Sequence, residues 1–226
     1  MTGAAPAADG GPEGVTTAAA TRRSRRAVAA AVVGALLVLA AVVVLLWSRQ
    51  AVSPVDAGFA RDMQDHHLQA VEMATLVREA TDDPEIRSLA LDIQLTQQHQ
   101  AGQMYGWLES WGLPQNVREP AMTWMSDGEH GHDDEAAALT ADGLMPGMAT
   151  RAELNELAGL EGTDAERLFL TLMIDHHVAG VDMAEHAAQE AREQVVRDLA
   201  GSIARAQEAE IAVLEDLLAA RGGADG

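Results

Sequence analysis

The chain has 226 residues, 48% hydrophobic and only 3% aromatic, with no cysteine and a formal net charge of −20. The lack of cysteine removes disulfides, thiolate nucleophiles and zinc-finger sites together. A chain this acidic repels nucleic acid and attracts cations, so nucleic-acid binding is excluded on charge.

Residues 1–26 open with an Ala-, Gly-, Thr- and Pro-rich stretch without periodicity, expected to be a disordered tail. It ends in Arg22, Arg23, Arg25 and Arg26, followed by an apolar run from Ala27 to Trp47. At about 1.5 Å per residue, a helix of that length crosses the roughly 30 Å hydrocarbon core. The run is longer than a signal-peptide core and lacks a small-x-small cleavage site after it. It therefore predicts a transmembrane anchor at 27–47. Four arginines before the run, against Arg49 after it, put the N-terminus in the cytoplasm and the remaining chain outside.

Sparse aromatic and β-branched residues beyond residue 50 predict an all-α body. That body contains an internal repeat. Phe59, Met63, Asp65, His66, His67, Met73 and Ala74 recur as Phe169, Met173, Asp175, His176, His177, Met183 and Ala184, offset by 110 at every position. The register continues through Ile93, Gln97, Gln100 and Met104, which fall on Ile203, Gln207, Glu210 and Leu214. Helices are predicted near 55–80, 84–112, 164–191 and 193–220. Asp83-Pro84 reads as a helix start, Gly112 and Gly222-Gly223 as helix ends. The domain at 55–220 is thus two duplicated hairpins, 55–112 and 164–220, joined by a connection at 113–163. One long crossover between two hairpins is the ferritin-like wiring of a four-helix bundle.

At 100° per residue, Phe59, Met63, His66, His67, Ala70 and Met73 share one helix face, and Phe169, Met173, His176, His177, Gly180 and Met183 repeat it. The small residues Ala70 and Gly180 leave room beside the histidines for an ion or for close helix approach. Asp65, Glu72, Asp175 and Asp182 point away, towards solvent. On the partner helices Gln97 and Gln100, and Gln207 and Glu210, interrupt apolar stripes. Buried there, they need hydrogen-bond partners, and imidazole N–H groups would serve. One His-His pair, or a few core methionines, would be ordinary packing. The same Met and His-His pattern twice, on faces a duplicated bundle brings together, points to metal.

The connection carries a second group: Met122, Trp124, Met125, Glu129, His130, His132, Asp133 and Asp134, then Met145-Pro146-Gly147-Met148. It reads either as an acidic loop or as a subsidiary metal-binding stretch. His99 lies off the core face and His186 near a helix end, and neither is assigned a role.

Met63-x2-His66-His67-x5-Met73, its copy Met173-x2-His176-His177-x5-Met183, the Gln207-x2-Glu210-Ile211 element and Met145-Pro146-Gly147-Met148 resemble the bacterial family of domain of unknown function 305. The resemblance covers residues 55–220 and implies a ferritin-like fold, a secreted or membrane-anchored location and metal handling, with copper binding in some members. Gln100-Ala101 departs from the pattern, which has Glu-Ile there, so the two halves are chemically unequal.

Three readings follow. Thioether and imidazole donors favour Cu(I) over Mg²⁺ or Ca²⁺. The first reading is therefore an extracytoplasmic copper-binding, buffering or delivery protein. Its ligands are Met63, His66, His67, Met73, Met173, His176, His177 and Met183, with Gln97, Gln100, Gln207 and Glu210 orienting the imidazoles from behind. They would form one site or two adjacent ones, losing affinity below about pH 6.5 as imidazoles protonate. Another transition metal is the variant of this reading. The second is a ferritin-like di-metal redox enzyme, but none of the four bundle helices carries the Glu-x-x-His such sites use. The third is a helical module that binds a protein partner without metal.

Overall fold

The computed structural model describes residues 28–44, 52–126 and 139–223. The chain divides into two compact units, Met1–Ala51 and Val52–Gly226.

In the first unit a helix, α1, runs over 28–44, with Val28, Leu36, Leu37 and Val44 all exposed. The Arg cluster and residues 27 and 45–47 of the expected anchor lie outside the described residues. Among the described residues no helix is long and apolar enough to cross a membrane.

The second unit is all helical among its described residues. It consists of α2 (Pro54–Ala80), α3 (Pro84–Trp111), a 3-10 turn η1 (Thr123–Met125), α4 (Arg151–Gly159), α5 (Gly162–Glu190) and α6 (Gln194–Ala220). The four long helices fall within a residue or two of the predicted spans. Local chemistry fixes their ends. Ser53 and Asp56 form a reciprocal capping box before α2, and Asp83 caps α3 with Pro84 in its first turn. Gly112 terminates α3 in the left-handed region at φ 68°. The helix α4 lies inside the connection, capped by Thr150 and Glu153.

α2 pairs with α3 and α5 with α6, and the two hairpins meet mainly through α2 and α5. One apolar cluster gathers Ala70, Met73 and Val77 of α2 with Ala165, Phe169 and Met173 of α5. The other gathers Phe59 and Met63 with Met183, Ala184 and Ala187. The start of α2 therefore sits beside the end of α5, so the two helices run antiparallel. Both histidine pairs fall between the clusters.

Polar contacts repeat the duplication. Asp56 accepts from the backbone N–H of Arg192 and Glu193, at the turn of the other hairpin. Its counterpart 110 residues on, Glu166, accepts from Thr81 at the turn of the first hairpin and pairs with Arg221 at 2.6 Å. Each hairpin thus clasps the other's turn with a buried carboxylate.

Candidate metal centre

All four histidines of the repeat are fully buried. The His66 and His176 rings lie 3.7 Å apart between centroids, tilted by 32°, and His176 Nε2 sits 2.9 Å from the His66 carbonyl. A carbonyl only accepts, so Nε2 carries the proton and Nδ1 is a bare lone pair. The same holds for His67, whose Nε2 is 2.8 Å from Gln100 Oε1, and for His177, whose Nε2 is 2.8 Å from the Glu210 carboxylate. The Nδ1 atoms of His67, His176 and His177 have no hydrogen-bond partner, nor does either ring nitrogen of His66. The Pro146 carbonyl favours protonation of His66 but closes no hydrogen bond of good geometry.

Burial keeps the His66, His67 and His176 rings neutral. It holds His66 down at about 4, with His177 adding repulsion and the Pro146 carbonyl partly opposing. It holds His67 at about 3, reinforced by the His66 and His177 charges and eased by Gln100. His176 lies well below the ordinary imidazole value, through burial and then the three neighbouring rings. Neutral imidazole is the metal-binding form, and His66 and His67 keep that form well below pH 6.5.

The four expected thioether ligands fall on either side of the histidines. Met63 and Met183 flank the histidines in one apolar cluster, Met73 and Met173 in the other. Antiparallel packing causes the split, since each methionine meets the copy from the opposite end of the repeat. Among the described residues no three His, Asp or Glu side chains are grouped so as to hold a metal ion.

The four expected orienting residues divide as well. Gln100 and Glu210 bond the imidazoles, at equivalent positions. Gln97 and Gln207 do not: both are buried and neither atom of either amide has a partner. A Cβ on Gly180 would lie 2.4 Å from Gln207 Oε1, so the room left by that glycine admits the Gln207 amide. Asp65, Asp175 and Asp182 are exposed, and Glu72 pairs with Arg151 of α4 at 2.8 Å, so these acids lie away from the centre. His99 is exposed.

From the connection, Met122, Trp124 and Met145 are buried in the Met63–Met183 cluster, with Met125 and Met148 packed against it. Glu129, His130, His132, Asp133 and Asp134 lie outside the described residues. Asp62 anchors this strap, accepting from Met122 N–H at 2.6 Å and Trp124 Nε1 at 2.7 Å. Burial raises Asp62 above the usual carboxylate value, against those bonds and the nearby Arg61 charge. Trp124 lies over the bare backbone of Gly58, where a Cβ would come within 2.4 Å of the indole. The Trp124 ring also meets His186, with centroids 5.5 Å apart. The repeat gives no hint of the Asp62 anchor, because its counterpart at 172 is leucine.

The model of the family described as domain of unknown function (DUF305) matches residues 56–218. The chain belongs to this family. A crystal structure of a putative secreted DUF305 protein from Streptomyces coelicolor is 46% identical, covering 75% of this chain and 94% of that one, with a TM-score of 0.66. A DUF305 fragment from Deinococcus radiodurans is 33% identical, covering 75% of this chain and 98% of that one, with a TM-score of 0.59. CopM in its Cu(I)-bound form is 23% identical over 72% of this chain and 94% of its own, with a TM-score of 0.53, a likeness of fold. No curated protein sequence matches the chain.

Proposed function

We propose that this family member is a membrane-anchored, extracytoplasmic protein that binds a soft metal ion, Cu(I) foremost, for buffering or delivery. The observation that carries the reading is the bare Nδ1 atoms of His67, His176 and His177, buried and without partners between two sets of thioethers. A buried polar atom left unpaired costs about 1–3 kcal/mol, so a core holding several of them fits one that takes up a ligand. Gln100, Glu210 and the His66 carbonyl would fix the tautomer that leaves Nδ1 free. Imidazole with thioether suits Cu(I) or Ag(I) and poorly suits Mg²⁺ or Ca²⁺. CopM has been solved with Cu(I) bound, but the copper reading rests on this chain's own donors.

The anchoring is supported by the exposed apolar face of α1 and the Arg cluster before it. The extracytoplasmic location follows from that charge bias, in line with the relative described as secreted. No specific observation favours the redox-enzyme reading.

The test is a competition titration of the detergent-solubilised full chain against a Cu(I) chelator under reducing conditions. The wild type should hold Cu(I), and a variant with His66, His67, His176 and His177 changed to Ala should hold it far more weakly. Equal retention by both would remove the imidazoles from the site. No retention by either would end the metal reading in favour of a partner-binding module.

A further inference from the structure

Seven of the chain's ten methionines belong to one end of the bundle. Met63, Met104, Met122, Met145 and Met183 are buried in the same cluster, and Met125 and Met148 pack against it. The five buried ones come from five segments: α2, α3, the residue before η1, the strap before α4, and α5. Core filling alone does not account for this. The opposite end holds Met73 and Met173 only, and is otherwise built of Ile86, Ile93, Leu154, Leu157, Leu170, Leu214 and similar residues. The equivalent positions Met104 and Leu214 put a thioether at one end and an isobutyl group at the other, so the fold accepts either.

Met122 adds an independent sign. It is the only non-glycine residue among those described with positive φ, at 67°. Such a conformation costs a non-glycine residue free energy, and it persists here because Asp62 holds the backbone N–H. The side chain is thereby turned into the cluster and left 2% exposed.

We infer that the methionine-rich end is a thioether-only site for a soft monovalent cation, Cu(I) or Ag(I), with Met104, Met122 and Met145 as ligands beside Met63 and Met183. Met125 and Met148, partly exposed, add two more sulfur atoms packed against the same cluster. Neutral thioethers bind soft d¹⁰ cations well and Zn²⁺ or Mg²⁺ poorly, so the site discriminates by donor softness. The inference extends the soft-cation reading above and names ligands that reading does not include.

The experiment loads the full chain with Cu(I), and in parallel with Ag(I), against a competing chelator. It compares the wild type with a Met104→Leu, Met122→Leu, Met145→Leu variant. Leucine conserves volume closely enough to keep the packing, and equal helical circular dichroism checks this. Met104→Leu alone is the second variant, should the triple one fold poorly. The expected result is that the triple variant retains one ion fewer per chain, or that ion at least about tenfold more weakly. Its remaining Cu(I) should still show imidazole nitrogen in X-ray absorption. Identical stoichiometry and affinity in wild type and variant would overturn the thioether site while leaving the histidine centre intact. A wild type that retains no Cu(I) or Ag(I) would overturn both.

Discussion

His176 presses its ring against that of His66 and donates a hydrogen bond from Nε2–H to the His66 backbone carbonyl, at 2.9 Å. This single contact locks one histidine of the second repeat onto the first, and it decides which nitrogen of His176 is left bare.

The tautomers should be directly visible. Nitrogen-15 NMR of the metal-free chain at neutral pH should find His67, His176 and His177 protonated on Nε2. Adding Ag(I) should then shift Nδ1 of at least one of them. Protonation on Nδ1 in the metal-free chain would remove the lone pairs on which the centre depends.

Stability of the metal-free chain should fall as the medium is acidified. His66 and His67 have folded values of about 4 and about 3, below the ordinary 6.5. The unfolded chain therefore binds more protons between pH 6.5 and those values, and stability declines as pH drops through that window. Each histidine contributes about 1.4 kcal/mol per pH unit at the steepest. Denaturant midpoints measured from pH 7 to 4 check this, and a flat profile would contradict the burial of neutral rings. Cu(I) affinity, in turn, should survive below pH 6 better than a solvent-exposed imidazole site would.

Gln100→Ala and Glu210→Ala should each weaken Cu(I) binding about 10- to 100-fold without abolishing it, since each removes the acceptor that orients an imidazole. Gln97 and Gln207 lack such bonds. Gln97→Met should raise the stability of the metal-free chain, because it removes an unpaired buried amide. Chemical denaturation and chelator competition on the same samples separate the two effects.

Gly58→Ala should displace the Trp124 strap. The added methyl would overlap the indole, and overpacking of this kind costs about 1–3 kcal/mol. Near-ultraviolet circular dichroism and tryptophan fluorescence should both change, with helix content preserved. An unaltered tryptophan environment would show that the strap does not rest on Gly58.

A reporter fused after Gly226 should be active only outside the cytoplasm. Cytoplasmic activity would reverse the topology drawn from Arg22, Arg23, Arg25 and Arg26.

The four long helices, their ends at Asp83 and Gly112, and the core-facing placement of His66, His67, His176 and His177 are legible in the chain alone. These are local matters: repeat spacing, capping chemistry and the 100° step along one helix settle them. The sequence also indicated Gln100 and Glu210 as partners, because a polar residue on an apolar stripe must bond to something. Angles within a helix carry no information about the axial register between helices. Only the antiparallel meeting of α2 and α5 sets Met63 with Met183 and Met73 with Met173, in apolar clusters on either side of the histidines. Only the tertiary fold brought Met104, Met122 and Met145 to the same end, since they lie on segments with no common period. Likewise Asp62 became an anchor through contacts made 60 residues away, a distance over which no pattern in the chain can speak.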